Sequence, residues 1–279
     1  MNIRTDLISE SFEMNKKSIY GTETFSEKSD GIISEFTAIL TDSAAHSFSR
    51  PKGKYYTLKF DRLDRITQTE ELKDAIIKAL CRLLPENRES IMVAGLGNSD
   101  ITPDALGPLT VNKLIATRHI GKELKEKLGL EKLKDVSALA PGVLGKTGIE
   151  TVEIISATVE KTKPSALIVI DALAARSPER LCSTVQLSDT GISPGSGVNN
   201  SRKEISFNTL GIPVIAIGIP TVIDSSTYDS SGKNKDDNMM VTPKEIDLLI
   251  EKASEVISSA LNIFLQPEIS EDIISCLSQ

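Results

Sequence analysis

The chain has 279 residues, 39% of them hydrophobic and 25% charged, which suits one large α/β domain or two small ones. Its net charge of −7 disfavours a general nucleic-acid binder, because such proteins need clustered lysine and arginine. The three cysteines are widely spaced and there are only two histidines, so we expect neither a disulfide framework nor a zinc site. The sequence has no secretory signal and no long apolar run, which predicts a cytoplasmic protein without a membrane span.

The first 60 residues carry few signs of regular structure. Residues 1 to about 50 are rich in serine, threonine and glutamate with weak periodicity, so we expect a loosely structured or peripheral region. The segment KYYTLKF, residues 54–60, has the composition of an edge strand. A helix is predicted over 67–85, with Thr69 as its N-cap and Pro85 as its stop.

From residue 90 onward, apolar strands alternate with amphipathic helices. The predicted strands cover 91–97, 136–142, 166–170 and 212–220, and the predicted helices cover 104–120, 148–163 and 242–265, the last with Thr242 as N-cap and Pro243 at its first position. Strands without polar alternation indicate a mostly parallel sheet with helices on both faces. We therefore predict one doubly wound α/β domain, with a flexible surface loop over 224–240.

Two acidic residues follow predicted strands. Asp104 comes after the strand at 91–97, and Asp171 comes directly after the strand at 166–170. Because ligands bind outside the carboxyl ends of parallel strands, both carboxylates should lie at the same edge of the sheet. Such a pair can share a proton and hold a water molecule, which suits hydrolysis. A second interpretation stays open, in which Asp104 serves a helix N-terminus and Asp171 caps a helix that starts at Ala172.

Two other motifs do not support a familiar chemistry. The stretch GLGNSD, residues 95–100, departs from the dinucleotide pattern because Asp100 stands at the third glycine position and would repel a pyrophosphate. The stretch GISPG, residues 191–195, matches the serine-hydrolase string, but Pro194 has no N–H to offer an oxyanion. We therefore expect no nucleotide cofactor, no metal and no serine nucleophile.

The two acidic residues lie in segments that resemble the germination proteases of spore-forming bacteria. The resemblance spans about residues 90 to 265 and is carried by VAGLGNSDITPDALGP, APGVLGKTGIETVEI, VIDALAARSPERLCSTVQLSDTGISPGSGVNNSRKEIS and GIPVIAIGIPTVID. It implies an α/β fold similar to that of the hydrogenase-maturation endopeptidases, with Asp104 and Asp171 as the functional aspartates. It further implies an endopeptidase of the spore core that degrades small acid-soluble spore proteins, is made as a zymogen and forms a homotetramer.

The N-terminus fits the same resemblance. Members of that family remove a propeptide at a site that resembles the cut site in their substrates: Thr-Glu or Thr-Asp, an apolar residue, a small residue and then Glu. The stretch TDLISE, from Thr5 to Glu10, follows this pattern. The resemblance thus implies self-cleavage between Asp6 and Leu7, which would leave residues 1–6 as the propeptide and 7–279 as the peptidase domain.

In this interpretation Asp104 and Asp171 activate a water molecule, with the helix dipole favouring ionised Asp104 and leaving Asp171 as proton donor. The candidates for oxyanion or substrate contacts are Gly97, Asn98, Gly195 and Gly197, and those for contact with an acidic substrate residue are Arg118, Arg176 and Arg202. Two alternatives stay open: a metal-assisted peptidase of the maturation type, and a non-catalytic α/β module that binds a ligand.

Overall fold

The computed structural model describes residues 5–14, 20–127, 129–195, 202–224, 239–267 and 269. Within them, the strands are β1 (Thr22–Ser29), β2 (Ile32–Ile39), β3 (Gly53–Lys59), β4 (Ser90–Gly95), β5 (Asp135–Leu139), β6 (Ala166–Ala175), β7 (Thr184–Ser188), β8 (Val214–Asp224) and β9 (Met240–Val241). The helices are α1 (Ile8–Met14), α2 (Asp42–Phe48), α3 (Thr69–Leu83), α4 (Leu106–Asn112), α5 (Lys122–Lys127), α6 (Leu144–Thr147), α7 (Thr151–Thr162), α8 (Phe207–Leu210) and α9 (Ile246–Leu265). Short 3-10 turns cover Thr102–Asp104 and Pro178–Arg180.

The described strands form one mixed sheet in the order β1-β2-β3-β7-β8-β6-β4-β5, and β9 pairs with β8. Its parallel part is β5-β4-β6-β8, the four strands that the apolar runs predict. Strand β7 joins β8 antiparallel, and β3, β2 and β1 extend the sheet antiparallel from there. The predicted parallel α/β sheet is confirmed, and the antiparallel extension is an addition that the sequence did not predict.

Helices cover both faces of the parallel part, as predicted. Alternate residues of β6 point to opposite faces, as the pleat of a strand requires. Ile168 and Ile170 pack into the larger core beneath α3, α4 and α9, whereas Leu167 and Val169 pack against α7 on the other face. All four side chains are 0% exposed, which explains why this strand reads as a continuous apolar run.

The prediction of a loosely structured region over residues 1 to about 50 is wrong, whereas the strand predicted over 54–60 is present as β3, inside the sheet and not at its edge. Strands β1 and β2 and helix α2 occupy much of that region, and β3 pairs with β7 of the main sheet. The pattern is weak because β1 is an edge strand whose residues are almost all exposed, so it carries polar side chains. Its turn is nevertheless a recognisable one: Asp30 and Gly31 both have positive φ, as a two-residue hairpin turn requires.

Several predicted helix limits also need correction. The helix predicted over 104–120 is only α4, because the chain first makes a 3-10 turn that ends at Asp104. Helix α9 begins at Ile246 with Glu245 at the N-cap, and the Thr242 hydroxyl instead donates to the carbonyl of Thr221. Helix α3 begins at Thr69, which is therefore its first residue and not its cap.

The predicted loop over 224–240 lies mostly outside the described residues, which stop at Asp224 and resume at Met239. On either side of that gap, β8 and β9 pair with each other antiparallel. No helix in the described part of the chain is long and apolar enough to cross a membrane. The division into residues 1–6 and 7–279 stays a prediction.

Candidate active site

Asp171 lies inside a strand, not at its end. Strand β6 continues to Ala175 and stays paired with β8 over that length, so no helix starts at Ala172 and the capping interpretation of Asp171 is wrong. The side chain is 6% exposed and accepts a hydrogen bond from the N–H of Ala172 at 2.9 Å. A carboxyl group buried in a strand needs a reason other than helix capping.

Asp104 is held by the loop that follows β4. Its carboxylate accepts a hydrogen bond from the N–H of Asn98 at 2.8 Å, and the loop folds back tightly on the 3-10 turn. Gly97 makes this possible, because its φ is +112° and a Cβ there would lie 2.0 Å from the main-chain oxygen of Asp104. The N–H of Asn98 therefore holds a candidate catalytic group, which corrects its predicted role as an oxyanion donor.

Burial and nearby charge shift the pKa values of these carboxyl groups. Burial raises the pKa of Asp104, and the Asn98 N–H opposes this only in part. The pKa of Asp171 is raised well above its ordinary value, first by burial and then by the negative charges of Asp104 and Asp6. The expectation that a helix dipole favours ionised Asp104 is thus outweighed by burial, which raises the pKa of both carboxyl groups.

Both aspartates line one cavity of about 480 Å³, together with Leu96, Ala174 and Arg202. A second cavity of about 250 Å³ adjoins it, and the two share Asp6, Asp171, Leu173 and Gly195 as lining residues. The N-terminal segment therefore passes between two halves of one cleft. The carboxyl edge of the parallel strands is where this cleft opens, as the strand order predicts.

The N-terminal segment is bound in the cleft by its backbone. Asp6 pairs with β6: its N–H donates to the carbonyl of Ala174 and its carboxylate accepts from the N–H of Ala174, both at 2.8 Å. The carbonyl of Asp6 accepts from Nε2 of Gln186 at 2.9 Å, and the N–H of Ile8 donates to Oε1 of the same side chain at 2.6 Å. Sequence reasoning missed Gln186 and Ala174.

The side chains of this segment occupy separate sites. Leu7 is 0% exposed and packs against an apolar cluster, formed by Leu173, Ala175, Leu181 and Ile223. The carboxylate of Glu10, 3% exposed, accepts from the N–H groups of Arg176 and Ser177 at 2.8 Å each and from the hydroxyl of Thr5. A buried carboxylate with several donors is well compensated, so this contact favours glutamate.

Only some of the remaining candidate residues lie at the cleft. Gly195 and Arg202 line the cleft, whereas Gly197 lies outside the described residues. Arg176 acts here through its backbone N–H, and Arg118 lies beside Val136 near the amino end of β5, away from the cleft. Another cation, Arg50, lines the smaller cavity and donates to the carbonyl of Thr5, a contact across 45 residues that no local pattern signals.

No cluster of three or more histidine, cysteine, aspartate or glutamate side chains in the described residues is arranged to hold a metal ion. The described cysteines, Cys81 and Cys182, are both free, and burial raises the pKa of Cys182 to about 12. A thiol with so high a pKa is a poor nucleophile.

Comparison with known proteins agrees with the resemblance seen in the sequence. The chain matches the family model of the germination proteases over residues 3–234. It is 38% identical to a germination protease of Caldanaerobacter subterraneus subsp. tengcongensis, over 97% of this chain and 96% of that protein. A germination protease of Geobacillus sp. (strain WCH70) is 36% identical over 97% and 95% of the two chains.

Among solved structures, a [NiFe] hydrogenase maturation protease from Thermococcus kodakarensis KOD1 aligns with a TM-score of 0.38 and 18% identity, covering 67% of this chain and 97% of that one.

Proposed function

The chain belongs to the germination protease family, and we propose that it is an aspartate-dependent endopeptidase that starts the degradation of small acid-soluble spore proteins. We propose further that it is made as a zymogen in the spore core and removes residues 1–6 by cutting between Asp6 and Leu7. The observation that carries this proposal is the seating of the predicted cut site, Thr5 to Glu10, across the cleft that Asp104 and Asp171 line.

In the proposed reaction, Asp104 takes a proton from a water molecule as the water oxygen bonds to the carbonyl carbon of Asp6. Asp171 enters protonated and gives its proton to the nitrogen of Leu7 as the carbon–nitrogen bond breaks. The products are a carboxyl group on Asp6 and a free amine on Leu7. The pKa of Asp171, raised well above its ordinary value by burial and by the charges of Asp104 and Asp6, supports this division of roles.

The contacts of the bound segment also account for the predicted cut-site pattern. The acidic side chain before the bond is held by the N–H of Ala174, and the apolar residue after it enters the pocket of Leu7. The threonine hydroxyl donates to the final glutamate, whose carboxylate also accepts from the backbone N–H groups of Arg176 and Ser177. Substrates with the same pattern can use the same contacts, which supports one site for self-cleavage and for spore proteins.

The test compares single substitutions in the full-length chain. Asp104→Asn and Asp171→Asn should abolish both the appearance of a new N-terminus at Leu7 and the cleavage of a spore protein, while thermal unfolding stays cooperative. Asp100→Asn is the matched control, because Asp100 lies in the same loop but is exposed and pairs with Lys146. Normal turnover by either of the first two variants would remove that residue from the mechanism.

The same assay separates the alternatives. A non-catalytic α/β module keeps its N-terminus intact at every pH, and a metal-assisted peptidase loses activity with a chelator and regains it with a divalent ion. We expect cleavage that a chelator leaves unchanged. The homotetramer stays a prediction, which light scattering on the purified chain tests directly.

A further inference from the structure

We propose that Gln186 is a catalytic residue whose side-chain amide donates to the oxygen of the bond that is cut. The inference rests on the proposed cleavage between Asp6 and Leu7 and adds the group that stabilises the oxyanion. Gln186 lies on β7, a strand that comes from outside the parallel part of the sheet.

The sheet register places Gln186 across from Asp171. Both residues are paired with Gly218 of β8, the strand between them. Neighbouring strands are about 4.8 Å apart, so the two Cα atoms are about 10 Å apart. Val185 and Leu187 pack into the larger core, which turns the intervening Gln186 to the opposite face, the face on which Asp171 lies.

Gly218, which lies between these two residues on β8, leaves room for the side chain of Leu173. A Cβ at this position would lie 2.5 Å from the side chain of Leu173, which also forms the wall of the Leu7 pocket. Any larger residue would displace that wall. Asp6, Asp171 and Gln186 line the same smaller cavity, so the carbonyl of Asp6 has the amide on one side and can meet the acid on the other.

The amide of Gln186 holds the backbone on both sides of that bond. Nε2 donates to the carbonyl of Asp6 at 2.9 Å, before the bond, and Oε1 accepts from the N–H of Ile8 at 2.6 Å, after it. Only one orientation of the amide serves both partners, because the nitrogen donates and the oxygen accepts. The Ile8 contact thus fixes which end of Gln186 faces the carbonyl of Asp6.

The two contacts differ in what they can do for the reaction. The oxygen of Asp6 gains negative charge when water adds to its carbon, so the bond from Nε2 strengthens in the transition state. The N–H of Ile8 gains no charge during the reaction, so its hydrogen bond to Oε1 is equally strong before and in the transition state. That hydrogen bond therefore contributes to binding alone. The backbone N–H of Asn98 cannot take over the first role, because it already holds Asp104.

The experiment measures the first-order rate of self-processing in the full-length chain by mass spectrometry. Gln186→Met removes both contacts without adding charge, and Gln186→Asn keeps an amide but withdraws it by about 1.5 Å, one carbon–carbon bond. Removing a single oxyanion donor lowers turnover by about 10²- to 10³-fold, and we expect a loss of that size for both variants.

The matched control is Gln266→Asn. Gln266 is also a glutamine with both ends bonded, its Nε2 donating to Thr117 and Lys134, but it lies at the opposite edge of the sheet. We expect its rate to stay within about threefold of the unmodified chain. Hydrogen exchange at the N–H of Asp6, which is bonded to Ala174, reports whether the segment is still docked in each variant.

A slow Gln186→Asn variant with a docked segment supports the inference. The inference is overturned if a folded Gln186→Asn variant processes itself at a rate within about threefold of the unmodified chain. If that processing still depends on Asp171, the proposed function stands. An unmodified chain that never releases its first six residues overturns both.

Discussion

Glu10 provides the sharpest test of how the N-terminal segment is held. Its carboxylate accepts hydrogen bonds from two backbone N–H groups and one hydroxyl. The residue is only 3% exposed, so these protein groups take the place of water as donors. In Glu10→Gln an NH₂ group replaces one oxygen, and at least one backbone donor loses its acceptor. A hydrogen bond to a charged group contributes about 1.5–3 kcal/mol. The docked segment should therefore open about 10- to 150-fold more often.

Hydrogen exchange measures this opening directly. The amides of Asp6 and Ile8 donate to the enzyme only when the segment is docked, so their protection should fall by the same factor. An Asp171→Asn background prevents cleavage during the measurement. Glu13→Gln is the control: its side chain is 56% exposed and pairs with Arg180, so we expect less than about a fivefold change. Equal protection in Glu10→Gln and the parent would refute the proposed binding of Glu10.

Three further predictions follow from burial and charge at the same site. Leu7→Ala should weaken docking by about 2–5 kcal/mol in the same exchange assay, whereas Leu124→Ala, at a 49% exposed position, should leave it unchanged; equal effects would contradict the packing. Asp171→Asn should raise Tm more at pH 7 than at pH 4, because a raised native pKa penalises the folded state once the unfolded chain ionises above about pH 3.9; the same gain at both values would oppose it. Asp6→Asn removes a charge that raises the pKa of Asp171, so the alkaline limb of residual processing should move to lower pH; an unmoved limb would count against that coupling.

The sequence is informative where local pattern and sheet topology act together. The apolar runs that lead to Asp104 and Asp171 belong to neighbouring parallel strands, and the rule for carboxyl edges places both acids on one side of the sheet. The position of Asp171 inside a strand could not be predicted, because β6 continues beyond it through pairing with β8 and not because of its own composition. The residues after Asp171 would suit a helix equally well.

The N-terminal part shows the opposite situation. Its Asp30-Gly31 turn is a recognisable hairpin signal, but polar edge strands conceal their pairing from any periodicity argument. Gln186 and Arg50 reach the bound segment across 180 and 45 residues, respectively. Contacts of this kind depend on the positions of β7 and β3 in the sheet. Tertiary packing sets these positions, and no local sequence pattern indicates them.

We propose that Asp104 and Asp171 cut the bond between Asp6 and Leu7. The intact mass of the purified chain after incubation, measured beside the Asp104→Asn and Asp171→Asn variants, tests this cleavage. We predict loss of the first six residues from the unmodified chain and full-length mass for both variants. Cleavage at another bond, or processing by either variant at the unmodified rate, would contradict the claim.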